Sequence, residues 1–210
     1  MNAVDSLSRI IAFYIALPII LYIIQPWFID RPLWQGAVVR YSCILFIFIW
    51  AVYDLKSFRT LRFNERAVRA ISGQILPTIL FSIIALILFF SLRERFNLTL
   101  YTDPVFFLIY PVSVLIQRYV YSAYLSFLLT QLGLRGFWLT LLPAFLFAGM
   151  HLLYRSILVL PTTFIGGLFW QISFLQTGNL WGAIFGHTIV GYLISLFYLI
   201  PFPNRSWKVI

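Results

Sequence analysis

The chain has 210 residues, 62% of them hydrophobic and only 10% charged, whereas soluble domains are roughly half apolar and a quarter charged. So few charges cannot cover a water-soluble fold of this size, and at roughly 20 apolar residues per membrane crossing the length holds several crossings without room for a second, soluble domain. The net charge of +9 does not mark a nucleic-acid surface. The basic residues are scattered between apolar runs, apart from Lys56, Arg59, Arg62, Arg66 and Arg69, a cluster suited to anionic lipid head groups.

In chain order, apolar runs are predicted at about 8–29, 37–54, 71–92, 104–130, 136–153, 157–176 and 180–201. They are too long and too unalternating for barrel strands, and in lipid a helix satisfies its own backbone groups. The predicted class is therefore all-α, a polytopic transmembrane helix bundle of about seven spans (six to eight), with residues 1–210 forming a single integral membrane domain. The first run is too long for a signal-peptide core and lacks an Ala-x-Ala cleavage site, so it reads as a retained helix. Cys43 is the sole cysteine and can form no internal disulfide. Residues 56–70 make the longest connection, expected to lie as a basic amphipathic segment on the membrane surface. Its five basic residues favour a cytoplasmic side for this loop and the N-terminus. Pro18, Pro77, Pro111, Pro143 and Pro161 fall near the start or in the first half of spans, where proline bends or opens a helix.

Strongly polar side chains within a span need a partner, a water-filled cavity or a function, since an Arg at the helix centre costs at least about 2.5 kcal/mol on insertion scales. Gln117 and Arg118 lie midway along the fourth run, with Ser122 one turn later. His151 follows Phe147 by one turn in the fifth run, and Gly191 follows His187 in the seventh. Read separately, each histidine could be a hydrogen-bonded group near a span end, and Arg118 could pair with a carbonyl freed by Pro143. One internal polar cavity accounts for all of them together.

The stretches QRYVYS (117–122), FAGMH (147–151) and HTIVG (187–191), with LPTTFIGGLFWQISFLQTGNLWGAIFGH between and around the last two, resemble motifs of the CAAX-protease and bacteriocin-processing (CPBP, or Abi) family of intramembrane proteins. The resemblance covers residues 112–195. Family members carry Glu-Glu-x-x-x-Arg, Phe-x-x-x-His and His-x-x-x-Asn in successive motifs. By that resemblance the water-activating Glu falls on Gln117, the second Glu on Arg118 and the Arg on Ser122. Phe147, His151 and His187 match, and the final Asn falls on Gly191. An amide cannot take the proton that hydrolysis requires of the Glu. No Asp or Glu occurs from residue 104 onward, and two histidines fall short of the three ligands usual for catalytic zinc.

The expected function is therefore that of a non-hydrolytic family member, with no catalytic residues, cofactor or metal. Its former active-site cavity, formed by Gln117, Arg118, Ser122, Phe147, His151, His187 and Gly191, would bind a lipid, a peptide or a partner, the donor-rich Gln-Arg pair favouring an anionic lipid or peptide group. A membrane scaffold or assembly factor docking another membrane protein is the companion reading. The alternative is an active intramembrane endopeptidase using His151 or His187. Membrane lipids are the expected partners and nucleic acid is not. The expected location is a bacterial plasma membrane or a related internal membrane.

Overall fold

A computed structural model describes residues 1–24, 33–96, 104–151 and 159–196. Among these residues the chain is all-helical, with no strand. Its elements are α1 (Ala3–Ile10), a π-helical stretch (Ile11–Ala16), α2 (Leu17–Ile24), α3 (Leu33–Leu55), α4 (Glu65–Phe96), α5 (Pro104–Arg118), a second π-helical stretch (Tyr119–Tyr124), α6 (Leu125–Gln131), α7 (Trp138–Met150), α8 (Val159–Thr177) and α9 (Trp181–Leu196). Because α1 to α2 and α5 to α6 each run on without a break, these make seven continuous helical stretches.

Ala3–Ile23, Glu65–Leu88 and Phe107–Gln131 are long and apolar enough to cross a membrane, and Ser42–Leu55, Trp138–Met150 and Trp181–Ile194 are shorter apolar helices. The sides of α4 turned away from the bundle carry exposed Leu76, Ile79, Leu80, Ile83 and Ile87, as a helix solvated by acyl chains should. The protein is an integral membrane helical bundle.

The stretch from α5 to α6 forms the centre. Val114, Tyr119, Val120, Tyr124, Leu125 and Leu128 are fully buried, and a helix apolar on every side belongs inside. The first helix docks on it through Tyr14, whose hydroxyl donates to the Val120 carbonyl at 2.9 Å. It also docks through Arg9, which bonds the Tyr124 hydroxyl at 3.0 Å and pairs with Asp54 of α3. Gln171 of α8 donates to Ser126 Oγ at 2.7 Å and to the Leu139 carbonyl at 2.8 Å, tying α8 to α6 and α7. Small residues permit the close crossings. A Cβ on Gly167 would come within 3.2 Å of Ala144 Cα, and one on Gly182 would collide with the Ala70 carbonyl.

The connection after α3 departs from the sequence expectation. Residues 65–70 are the opening turns of α4, so the linker shrinks to 56–64 and holds a short 3-10 turn, Arg59–Leu61. Its side chains at Lys56, Phe58, Arg59, Arg62, Phe63 and Asn64 are exposed, while its backbone fastens the turn between α8 and α9. The Leu180 N–H donates to the Thr60 carbonyl (2.8 Å), the Trp181 indole to Leu61 (2.8 Å) and the Asn179 amide to Arg62 (2.9 Å). Asn179 also caps α9 through the Trp181 N–H at 2.9 Å, and Gly178, at φ +64°, takes the left-handed conformation that closes the preceding helix. Pro77, Pro111 and Pro143 all sit inside helices. The last span, predicted to 201, is described to residue 196, and Arg155, Arg205 and Lys208 lie outside the described residues.

Candidate functional site

The site is built around the ring of Phe147 on α7. Arg118, the last residue of α5, is 1% exposed. Its guanidinium lies 3.9 Å from the centroid of the Phe147 ring and 4.9 Å from that of Trp170 on α8. The imidazole of His151 packs against Phe147 at 4.6 Å, and His187 of α9 meets the same ring edge-on at 5.4 Å. His187 stacks on Trp170 at 4.3 Å with the planes inclined by 22°. Residues from four helices thus converge on one aromatic centre, and the charge is held against ring faces instead of a carboxylate.

The hydrogen-bond inventory shows what the centre lacks. Arg118 Nε and Nη2, Tyr121 Oη, Ser122 Oγ and His187 Nδ1 are buried without a partner among the described residues. Backbone and side-chain groups buried this way are rarely left unpaired. Arg118 caps the π-helical stretch Tyr119–Tyr124 that carries Tyr121 and Ser122, and single π turns recur at functional sites. His151 is anchored through Nδ1 to the Phe147 carbonyl at 2.9 Å. The only acid engaged inside the bundle among the described residues, Asp54, is occupied by Arg9 and by the Tyr124 hydroxyl at 2.5 Å. No group of three or more His, Cys, Asp or Glu side chains placed to hold a metal occurs among the described residues.

Two positions behave differently from the rest. Gln117 is half-buried and its amide donates to Ser113 Oγ, 2.9 Å away on its own helix. No hydrogen bond or ring contact among the described residues joins it to Arg118 or to the histidines. Gly191 is buried, and a Cβ there would collide with the hydroxyl of Tyr110 from α5. The space beside Gly191 is filled by that phenol, whose ring stands 6.0 Å from His187, edge to face.

Trp170, Tyr110 and Tyr121 are the site residues that sequence reasoning did not single out. In a chain that is one-fifth aromatic, a Trp or Tyr at helical spacing looks the same whether it faces lipid or a buried charge. The nearby Gly-rich run of α8 was the available signal. A Cβ on Gly166 would meet the Trp170 ring at 2.7 Å, so this glycine leaves the indole its place.

Residues 103–193 match the family model described as Rce1-like, type II CAAX prenyl endopeptidase Rce1-like. No curated protein and no solved structure matches the chain. The matched segment contains Arg118, Phe147, His151, Trp170 and His187, the residues that meet at the centre, and it begins somewhat before the region in which the motifs were recognised. Within its membrane helical bundle, the chain is similar over residues 103–193 to the type II CAAX prenyl endopeptidase Rce1-like family.

Proposed function

We propose that the protein is a non-hydrolytic relative of the CAAX endopeptidases whose former active-site region binds the carboxylate or phosphate of a lipid or peptide. The observation that carries this reading is Arg118, buried with two guanidinium nitrogens lacking an acceptor among the described residues. Tyr121 and Ser122, on the π-helical stretch that follows, carry buried hydroxyls without partners among the described residues, and a planar guanidinium supported by hydroxyls matches an oxyanion well. Water activation, by contrast, needs a base within reach of the water. The position of the family's first Glu is an amide turned toward Ser113, and no acid occurs from residue 104 on. The aromatic-rich outer faces leave room for a scaffold role in which another membrane protein delivers that anionic group. The seven helical stretches support a seven-span topology, and the family resemblance supports a bacterial plasma membrane or related internal membrane.

The test pairs binding with turnover. Purified protein in mild detergent should be thermally stabilised by a peptide bearing a free C-terminal carboxylate and not by the amidated peptide. Arg118→Met should abolish the effect, and no farnesylated or leader-type peptide should be cleaved.

A second reading, an active endopeptidase, draws on the packing of both histidines against Phe147. It predicts cleavage of a farnesylated peptide that disappears in both His151→Ala and His187→Ala.

A further inference from the structure

A second site lies on the outer side of Trp170, between α4 and α8, and draws on residues of α4 outside the family-matched segment. An apolar groove of about 530 Å³ is walled by Leu76, Leu80 and Ile84 of α4, Ile165 and Phe169 of α8, and Ile194 of α9. That volume falls in the range of small-molecule sites. Leu80 and Ile84 are more than half exposed, so the groove opens sideways into the bilayer.

A small polar recess adjoins it. Pro77, Phe81 and Phe169 are shared with this recess, of about 10 Å³, which is also lined by Gln74, Thr78 and Trp170. Gln74 and Thr78 are each 5% exposed, and Gln74 Oε1 and Thr78 Oγ1 have no hydrogen-bond partner among the described residues. Both face Gly186, where a Cβ would lie 3.0 Å from Gln74 Oε1, 3.1 Å from Thr78 Oγ1 and 2.9 Å from the Trp170 indole nitrogen. The recess has room for a single oxygen. A water placed there can donate to Gln74 and accept from Thr78, leaving a hydrogen for an acceptor in the groove.

Above the polar recess stand charges. Arg69 is exposed and shares a helix face with Leu76 and Leu80, seven and eleven residues on. Arg66 is also exposed, and its Nη1 lies 3.9 Å from where a Cβ of Gly178 would be, at the turn closing α8. Among the described residues neither arginine is in an ion pair. Five residues separate Arg69 from Gln74, about 7.5 Å of rise, and fourteen separate Gln74 from Leu88 at the far end of the groove, about 21 Å. The apolar run of this helix begins near residue 71, so Gln74 lies just inside the interface, where lipid ester groups reside.

Cation, hydrogen-bonding recess and apolar groove thus succeed one another along α4 in the order of phosphate, ester and acyl chain in a glycerophospholipid. We propose that this face is a site for one anionic glycerophospholipid. Its phosphate sits at Arg66 and Arg69, an ester carbonyl accepts from the water over Gln74 and Thr78, and an acyl chain fills the groove. A bare lipid-facing crevice would need neither the buried polar pair nor the arginines at its mouth.

The test is native mass spectrometry of the full chain released from vesicles of equal parts phosphatidylcholine and phosphatidylglycerol with matched acyl chains. One phosphatidylglycerol per chain should be retained at this site, preferred about thirtyfold, as expected for two arginines at about 1 kcal/mol each. Arg66→Gln with Arg69→Gln should bring the preference close to one. Leu80→Trp with Ile165→Trp, which narrows the groove from both walls, should reduce retention of both lipids. The same preference, and its loss with both arginines, should be found in an Arg118→Met background, where the buried site holds no anionic lipid, and inorganic phosphate added during release should not displace the lipid. The proposal is overturned by absence of preference in the unaltered protein, by a preference that survives loss of both arginines, or by displacement with phosphate alone. Both arginines are exposed, so that variant decides the matter even if the groove-filled one fails to fold.

Discussion

Replacing Arg118 by methionine should stabilise the ligand-free protein. The guanidinium is 1% exposed, and its Nε and Nη2 lack acceptors among the described residues. Holding an ion in such surroundings costs several kcal/mol even after relaxation. The faces of Phe147 and Trp170 return about 2 kcal/mol or somewhat more in a desolvated setting. What is left is a deficit of about 1–4 kcal/mol, the gain found when buried charges give way to apolar side chains of similar volume. Methionine suits the space because it is unbranched and its sulfur packs favourably against aromatic rings. The assay is SDS-induced unfolding in mixed micelles after exhaustive detergent exchange has removed bound lipid. The unfolding free energy of Arg118→Met should exceed that of the unaltered protein by about 1–4 kcal/mol, while stabilisation by an anionic ligand is lost. A decrease of more than about 1 kcal/mol would refute the reasoning, because it would mean that the arginine already holds a strong internal acceptor.

Gly191→Asn, which restores the residue usual in the family, should destabilise the fold by about 1–3 kcal/mol, since the new side chain meets the Tyr110 hydroxyl; the same unfolding assay should show Tyr110→Ala relieving most of the loss. Arg9→Met leaves Asp54 in the bundle, 8% exposed, with only the Tyr124 hydroxyl, and should cost about 2–4 kcal/mol. The double change Arg9→Met with Asp54→Leu should recover most of it, and additive losses in the double-mutant cycle would contradict the pairing. Gln117→Glu alone should confer no cleavage of a farnesylated peptide, because the side chain at 117 is engaged with Ser113 and not with the histidines; turnover in a mass-spectrometric peptide assay would show that the new carboxylate reaches the centre.

The helices were legible because twenty-residue apolar runs leave the backbone few alternatives in lipid. The same logic marked Arg118, His151 and His187, as polar groups that lipid would not tolerate facing outward. Helical spacing gives an angle around an axis but not a rotamer, so Gln117 read as a neighbour of the histidines and turns out to bond its own helix. The π-helical turn after Arg118 was invisible, since YVYSAY carries no residue that an ordinary α-helix would refuse. Pairings across long separations, such as Arg9 with Asp54 or Gln171 with Ser126, depend on which helices meet. The short linker read as a surface segment because its basic residues are conspicuous, while the groups by which it holds the α8–α9 turn are three backbone carbonyls common to any sequence.

Those three carbonyls bear on what counts as a unit in this protein. Thr60, Leu61 and Arg62 lie outside residues 103–193, yet they take the hydrogen bonds of the turn from which α9, and with it His187, sets out. Tyr14 likewise reaches the Val120 carbonyl inside the π-helical turn, as a donor additional to the Leu125 N–H. The recognisable segment spans some ninety residues, but cooperativity extends beyond it. Cut at the borders of that segment, α9 would lose the carbonyls that fix where it begins, and the π-helical stretch after Arg118 would lose the phenol that braces it. What matches as a module here is physically only part of one, and the earlier helices complete it.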